Sequence, residues 1–170
     1  MKKLFTAHAG DLRWSLGSEF AALDIDEHQH EPGNYFFFSA ALEYGAGGLL
    51  SGGFSFAFSD LDETEERGLM ADAYLKYSLR PMRKFNPFIS AGASAAALRY
   101  REYGWFAEND DAGNPVYYQS VSRTARSIGA IYQVGTTFGI GRRLQLDVYW
   151  SQFFGTEEVS INLIGIRGSF

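Results

Sequence analysis

Seven charged side chains in this 170-residue sequence fall where an extended chain would turn them all to one side: Arg13, Glu19, Glu43, Asp72, Lys76, Asp147 and Arg167. Three are cations and four are carboxylates. If a sheet closes around them they must pair, because an unpaired buried charge is expensive. A packed polar core is the plainer outcome. The sharper one is a narrow, gated pore in which ion pairs exchange partners.

Other chemistry is sparse. Asp26-Glu27-His28-Gln29-His30-Glu31 offers two imidazoles and several carboxylates. His-x-His on an extended chain can set both rings on one side of a Zn²⁺ or Cu²⁺ ion. A solvated acidic loop explains the same residues, and neither a metal site nor a cofactor is expected. Asp60 to Glu66 carries five carboxylates within seven residues but lacks EF-hand spacing. The His residues stand at 8, 28 and 30, with no Ser close to the last two. That is a poor start for a Ser-His-acid hydrolase. Gly45 to Gly53 reads as a turn and a strand rather than a phosphate loop. No enzyme is expected.

A second candidate set is aromatic. Trp105 and Phe106 enter the segment 104–126, and Tyr117 and Tyr118 lie further along it. Between them Asn109-Asp110-Asp111-Ala112-Gly113-Asn114-Pro115 is dense in turn residues. The segment reads as a hairpin that carries two strands past the rest of the fold. Exposed aromatics there suit a protein or glycan partner. Cross-strand pairing within the hairpin is the bland alternative.

The elements that must position these residues are strands, because alternation dominates the chain. Over 11–25, Leu12, Trp14, Leu16, Phe20 and Ala22 oppose Arg13, Ser15, Gly17 and Glu19. Over 35–44, Phe36, Phe38, Ala40, Leu42 and Tyr44 oppose Phe37, Ser39, Ala41 and Glu43. Segments 49–59, 69–79, 127–138 and 144–154 alternate in the same way. The small-residue strand within 87–103 has no clear parity. In the last strand, 159–170, Ile164, Ile166 and Phe170 take one parity and Arg167 the other. Ile161 and Leu163 share the parity of Arg167, which breaks the pattern.

Composition limits the class. The chain has no Cys, so it has no disulfide framework or thiol chemistry. Its net charge of −5 argues against a nucleic-acid partner. Aromatics make up 16% of residues, with 15 Phe and 10 Tyr, which is high for a soluble domain. No apolar run approaches the length of a transmembrane helix. The basic start Met1-Lys2-Lys3 is followed by too short an apolar run for a working signal sequence. Residues 1–10 are set apart as an N-terminal periplasmic segment or signal remnant, and 11–170 as one domain.

Connections alternate between short turns (45–48, 80–86, 139–143) and longer segments (26–34, 60–68, 104–126, with 155–158 on the same side). Membrane barrels alternate short periplasmic turns with longer outer loops in this way. A soluble barrel would face its apolar parity inward, and parity alone does not say which face is inside. Aromatics near strand ends and a second parity of Ser, Gly, Ala and single charges favour the membrane.

The strand opening Asn86-Pro87-Phe88-Ile89-Ser90-Ala91-Gly92, the strand Leu144-Gln145-Leu146-Asp147-Val148-Tyr149-Trp150 and the end Ile164-Gly165-Ile166-Arg167-Gly168-Ser169-Phe170 resemble the small eight-stranded bacterial outer-membrane barrels. These include the OmpA transmembrane domain, OmpX, OmpW and the opacity-type proteins. Such barrels often carry Tyr two residues before a final Phe; here Gly168 takes that place. The resemblance implies an all-β fold: an eight-stranded antiparallel up-and-down transmembrane β-barrel in the bacterial outer membrane. It implies outer-membrane lipid and lipopolysaccharide as surroundings. The expected role is structural, adhesive or partner-binding action through outer loops, with a narrow channel for ions or small solutes as the alternative.

Overall fold

The computed structural model describes residues 12–25, 34–45, 49–61, 66–79, 84–109, 112–113, 115–140, 144–156 and 159–169. It forms a closed barrel in which each strand pairs with the next and the last pairs with the first. The strands are β1 (Leu12–Ile25), β2 (Asn34–Tyr44), β3 (Leu50–Leu61), β4 (Glu66–Ser78), β5 (Phe85–Asn109), β6 (Pro115–Ile140), β7 (Leu144–Gly155) and β8 (Val159–Ser169). All eight ladders are antiparallel, and closure leaves no unpaired sheet edge within the wall. The phenylalanine at position 170, residues 1–11 and the His28/His30 segment lie outside the described residues.

The alternation read from the sequence is the inside–outside alternation of the wall. Trp14, Phe36, Phe54, Phe56, Leu75, Val148, Trp150 and Ile166 are all exposed, with Phe54 at 69%. The charged parity is inside: Glu19, Glu43, Asp72, Lys76 and Arg167 are each no more than 7% exposed. A water-soluble barrel cannot carry this arrangement. Apolar rows on all strands far exceed the patches that soluble monomers tolerate. Lipid is the solvent that fits such an exterior. The undecided strand is settled by its ladders: Phe88, Ser90, Ser94, Ala96 and Leu98 point inward, and Ile89 and Ala95 point out.

One expected loop is shorter than its composition suggests. The acidic segment 60–68 is largely strand, with Asp60 opposite Arg67 and Leu61 opposite Glu66. A ladder continues wherever backbone groups find partners, whatever the polarity of the side chains. The segment 104–126 is the hairpin that its turn residues suggest. β5 and β6 stay paired from Phe85–Phe138 up to Asn109–Pro115. Their flanking partners stop earlier, β4 at Arg99 and β7 at Gly129. The hairpin therefore continues alone for about 30 Å, at ~3.3 Å per residue from Tyr100 to Asn109. One bulge interrupts it between Tyr103 and Phe106.

Candidate functional site

The interior divides into two halves along the barrel axis. The half nearer the short turns and middle of the wall is polar. Near its centre, Arg167 Nη2 donates to Glu19 Oε1 at 2.5 Å. Tyr149 Oη donates to the same oxygen at 2.5 Å. Arg167 Nε reaches Ser39 Oγ at 3.4 Å, and its guanidinium lies 4.8 Å from the Tyr149 ring centre.

Lys76 forms a second centre. Its Nζ lies 3.3 Å from Glu43 Oε2 and 3.1 Å from Asp147 Oδ2. Ser51 donates to Glu43 at 2.8 Å, and Phe88 offers its ring face 4.2 Å from the ammonium. Arg13 stands opposite Glu43 in the β1–β2 register. Asp72 follows a different pattern: Ser55 donates to its Oδ2 at 2.6 Å, and its Oδ1 is buried without a protein partner. Among the described residues no salt bridge to Asp72 is found. Two ion-paired centres and one serine-held carboxylate therefore account for six of the seven charges read from the sequence, and Arg13 is placed by its register opposite Glu43.

The half nearer the long hairpin is apolar. Ala21, Tyr35, Phe37, Ala57, Met70, Ala96, Leu98, Phe153, Val159, Ile161 and Leu163 form one buried cluster. Phe37 and Phe153 are completely buried. Ile161 and Leu163, which break the alternation of the last strand, are members of this plug. Burying each such side chain is worth roughly 1.5–3 kcal/mol. The expectation of an interior built mainly from Ser, Gly, Ala and charges thus holds for one half of the lumen only. A local polarity pattern cannot reveal that inward apolar residues from several strands meet at one level.

Small residues make room for the large interior rings. Gly165 stands opposite Tyr149 in the β7–β8 ladder. A Cβ on Gly165 would run into that ring. Gly68 does the same for Phe37, whose Cε1 and Cζ would be 2.6 Å from an added Cβ. Alternation puts Phe37, Tyr149 and Phe153 on the inward parity but does not mark them as site residues. The available signal was inward glycine paired with inward aromatic, visible only once the register is known.

The candidate aromatics Trp105, Phe106, Tyr117 and Tyr118 are strand residues rather than loop residues. Backbone pairing extends through this polar stretch as far as Asn109 and Pro115. Phe106 is in register with Tyr118 and Ala107 with Tyr117, while Trp105 falls in the bulge. Among the described residues no three His, Asp or Glu side chains come together as a metal site.

No protein-family model matches the chain. No curated protein matches it. Solved structures do. Neisserial surface protein A superposes with a TM-score of 0.65 at 11% identity, covering 93% of this chain and 95% of that one. Ail, the attachment invasion locus protein of Yersinia pestis, gives 0.63 at 11% identity, covering 96% and 100%. OprG, an outer-membrane protein of Pseudomonas aeruginosa, gives 0.57 at 9% identity, covering 95% and 96%. At such identities the likeness is one of fold. That fold, with an apolar exterior and a charged interior, is that of the small outer-membrane barrels.

Proposed function

We propose that this small outer-membrane barrel acts through its outer end, as a non-enzymatic anchor that presents the β5–β6 hairpin to a protein or glycan partner. One observation carries the reading. Among the described residues, one half of the lumen holds ion-paired side chains and the other an apolar plug. The hairpin is the one element, among those described, that extends far beyond the wall. Trp105, Phe106, Tyr117 and Tyr118 lie along it, and aromatic residues are favoured at binding surfaces. Ail, which shares the fold, is named for attachment and invasion, and one structure of it holds a heparin analogue, sucrose octasulfate.

The test replaces residues 104–118 with an Asn-Gly turn. Wild type and variant, refolded in detergent, are applied to a glycan array and to whole cells. The reading expects both to show heat-modifiable migration and the variant alone to lose binding. Equal binding by both would contradict it.

A narrow channel is the second reading. One observation favours it: Lys76 lies within reach of two carboxylates on different strands, so its pairing can change without moving the wall.

A further inference from the structure

The long hairpin leaves the wall where its neighbours end, and each of its strands is tied down near that point. On the β5 side, Tyr35 Oη donates to the Arg99 carbonyl at 3.2 Å. Arg99 is the last β5 residue paired with β4, and Tyr35 comes from β2, three strands away around the wall. The Tyr35 ring is buried, with its centre 6.0 Å from that of Phe37 in the plug. On the β6 side, Ser127 Oγ donates to the Thr156 carbonyl at 2.6 Å. Thr156 N donates in turn to the Ile128 carbonyl at 3.0 Å. Thr156 directly follows Gly155, the last β7 residue paired with β6.

Between these two ties the apolar plug reaches up under the hairpin. Ala96 and Leu98 of β5 belong to it, and Tyr100 and Ala125 pack against it from the stretch beyond the wall. Ala125 stands directly opposite Leu98. The end of β7 is shaped for the contact, since a Cβ on Gly155 would run into Ser127 Oγ and the Phe153 ring. A two-stranded ribbon is marginally stable by itself. Tied at one strand, it swings about that point. Tied at both strands, with an apolar seat between them, it cannot tilt without breaking a hydrogen bond on one side or opening the plug.

We propose that Tyr35, Ser127 and Thr156 form a two-point clamp that, with the plug as its seat, holds the β5–β6 hairpin at one fixed angle to the wall. The plug is then a mount as well as a seal. Tyr35 and Ser127 are positioning residues: neither lies on the part of the hairpin beyond the bulge, yet both set where that part points. An arm already held in one orientation does not have to be ordered when it meets a partner, which favours binding. The clamp does not rest on what the hairpin binds, or on its binding anything.

The test measures the angle directly. The chain has no Cys, so nitroxides on Ala112→Cys, beside the hairpin turn, and Ile164→Cys, on the outer wall, form a unique pair. Electron–electron distance measurement on the refolded barrel in lipid nanodiscs should give one narrow distribution. Tyr35→Phe combined with Ser127→Ala should broaden it, while heat-modifiable migration shows that the barrel is still closed. Amide hydrogen exchange along 100–109 should rise about tenfold in the same variant, two hydrogen bonds being lost. Gly155→Ala, which pushes Thr156 away from Ser127, should broaden the distribution independently. Ser151→Ala should leave it narrow, because the Ser151 hydroxyl is buried without a protein partner. A wide distribution in the otherwise unaltered barrel would overturn the proposal. So would unchanged width and exchange in the Tyr35/Ser127 variant, or equal broadening by Ser151→Ala. None of these outcomes depends on whether the hairpin deletion loses its partner.

Discussion

Arg167 and Glu19 are 148 residues apart in sequence and 2.5 Å apart in the lumen. They belong to the last and first strands, so the shortest interior ion pair among the described residues lies across the seam that closes the barrel. Both side chains are almost fully buried. Tyr149, from the neighbouring strand, donates to the same carboxylate oxygen.

Removing either member should therefore loosen closure. Arg167→Met leaves Glu19 buried and without its cation, at a cost of about 3–5 kcal/mol. Replacing both, Arg167→Met with Glu19→Gln, should cost less than Arg167→Met alone. Urea unfolding of the refolded barrel in lipid vesicles measures both. A single variant as stable as wild type would show that the seam pair contributes nothing.

Lys76 should be as demanding. Lys76→Met leaves Glu43 and Asp147 facing one another with no ammonium between them, again at about 3–5 kcal/mol. Adding Glu43→Gln should recover part of the loss. If the double variant is no better than Lys76→Met, repulsion between the carboxylates is not the cause.

Space is the issue at Gly165. In Gly165→Ala the new methyl meets the ring of Tyr149, and overpacking of this kind costs ~1–3 kcal/mol. Tyr149→Ala removes the obstacle, so the two changes together should cost less than their sum. Strict additivity in unfolding measurements would contradict the packing account.

The alternation of β3 predicts opposite environments for neighbours. A nitroxide on Phe54→Cys should collide freely with dissolved oxygen, as lipid-facing labels do. One on Ser55→Cys should be shielded, because Ser55 is buried against Asp72. The reverse result would invert the wall.

Much of this fold was legible in the sequence because strand periodicity is local. Phe54 and Ser55 alternate whatever lies across the sheet, and six segments declare their faces. The strand from Ile89 to Ala97 did not, since Ala and Gly weigh equally on both sides; its ladders to β4 and β6 decide. Ile161 and Leu163 looked misplaced because alternation assumes one character for the whole interior. They belong to a plug drawn from several strands, which is a non-local fact. The charged residues could be found by parity, but which of them meet depends on register: nothing in the sequence links Glu19 to Arg167 rather than to Lys76. The β5–β6 hairpin was legible in the turn residues of 109–115; its register and the bulge between Tyr103 and Phe106 were not.

The central claim is that the lumen is filled and sealed, so that this barrel works from its outer surface. Planar-bilayer recording on the purified, refolded protein tests it most directly. The account predicts no steady conductance from the wild type. A steady wild-type conductance that Lys76→Met abolishes would contradict it and establish the channel.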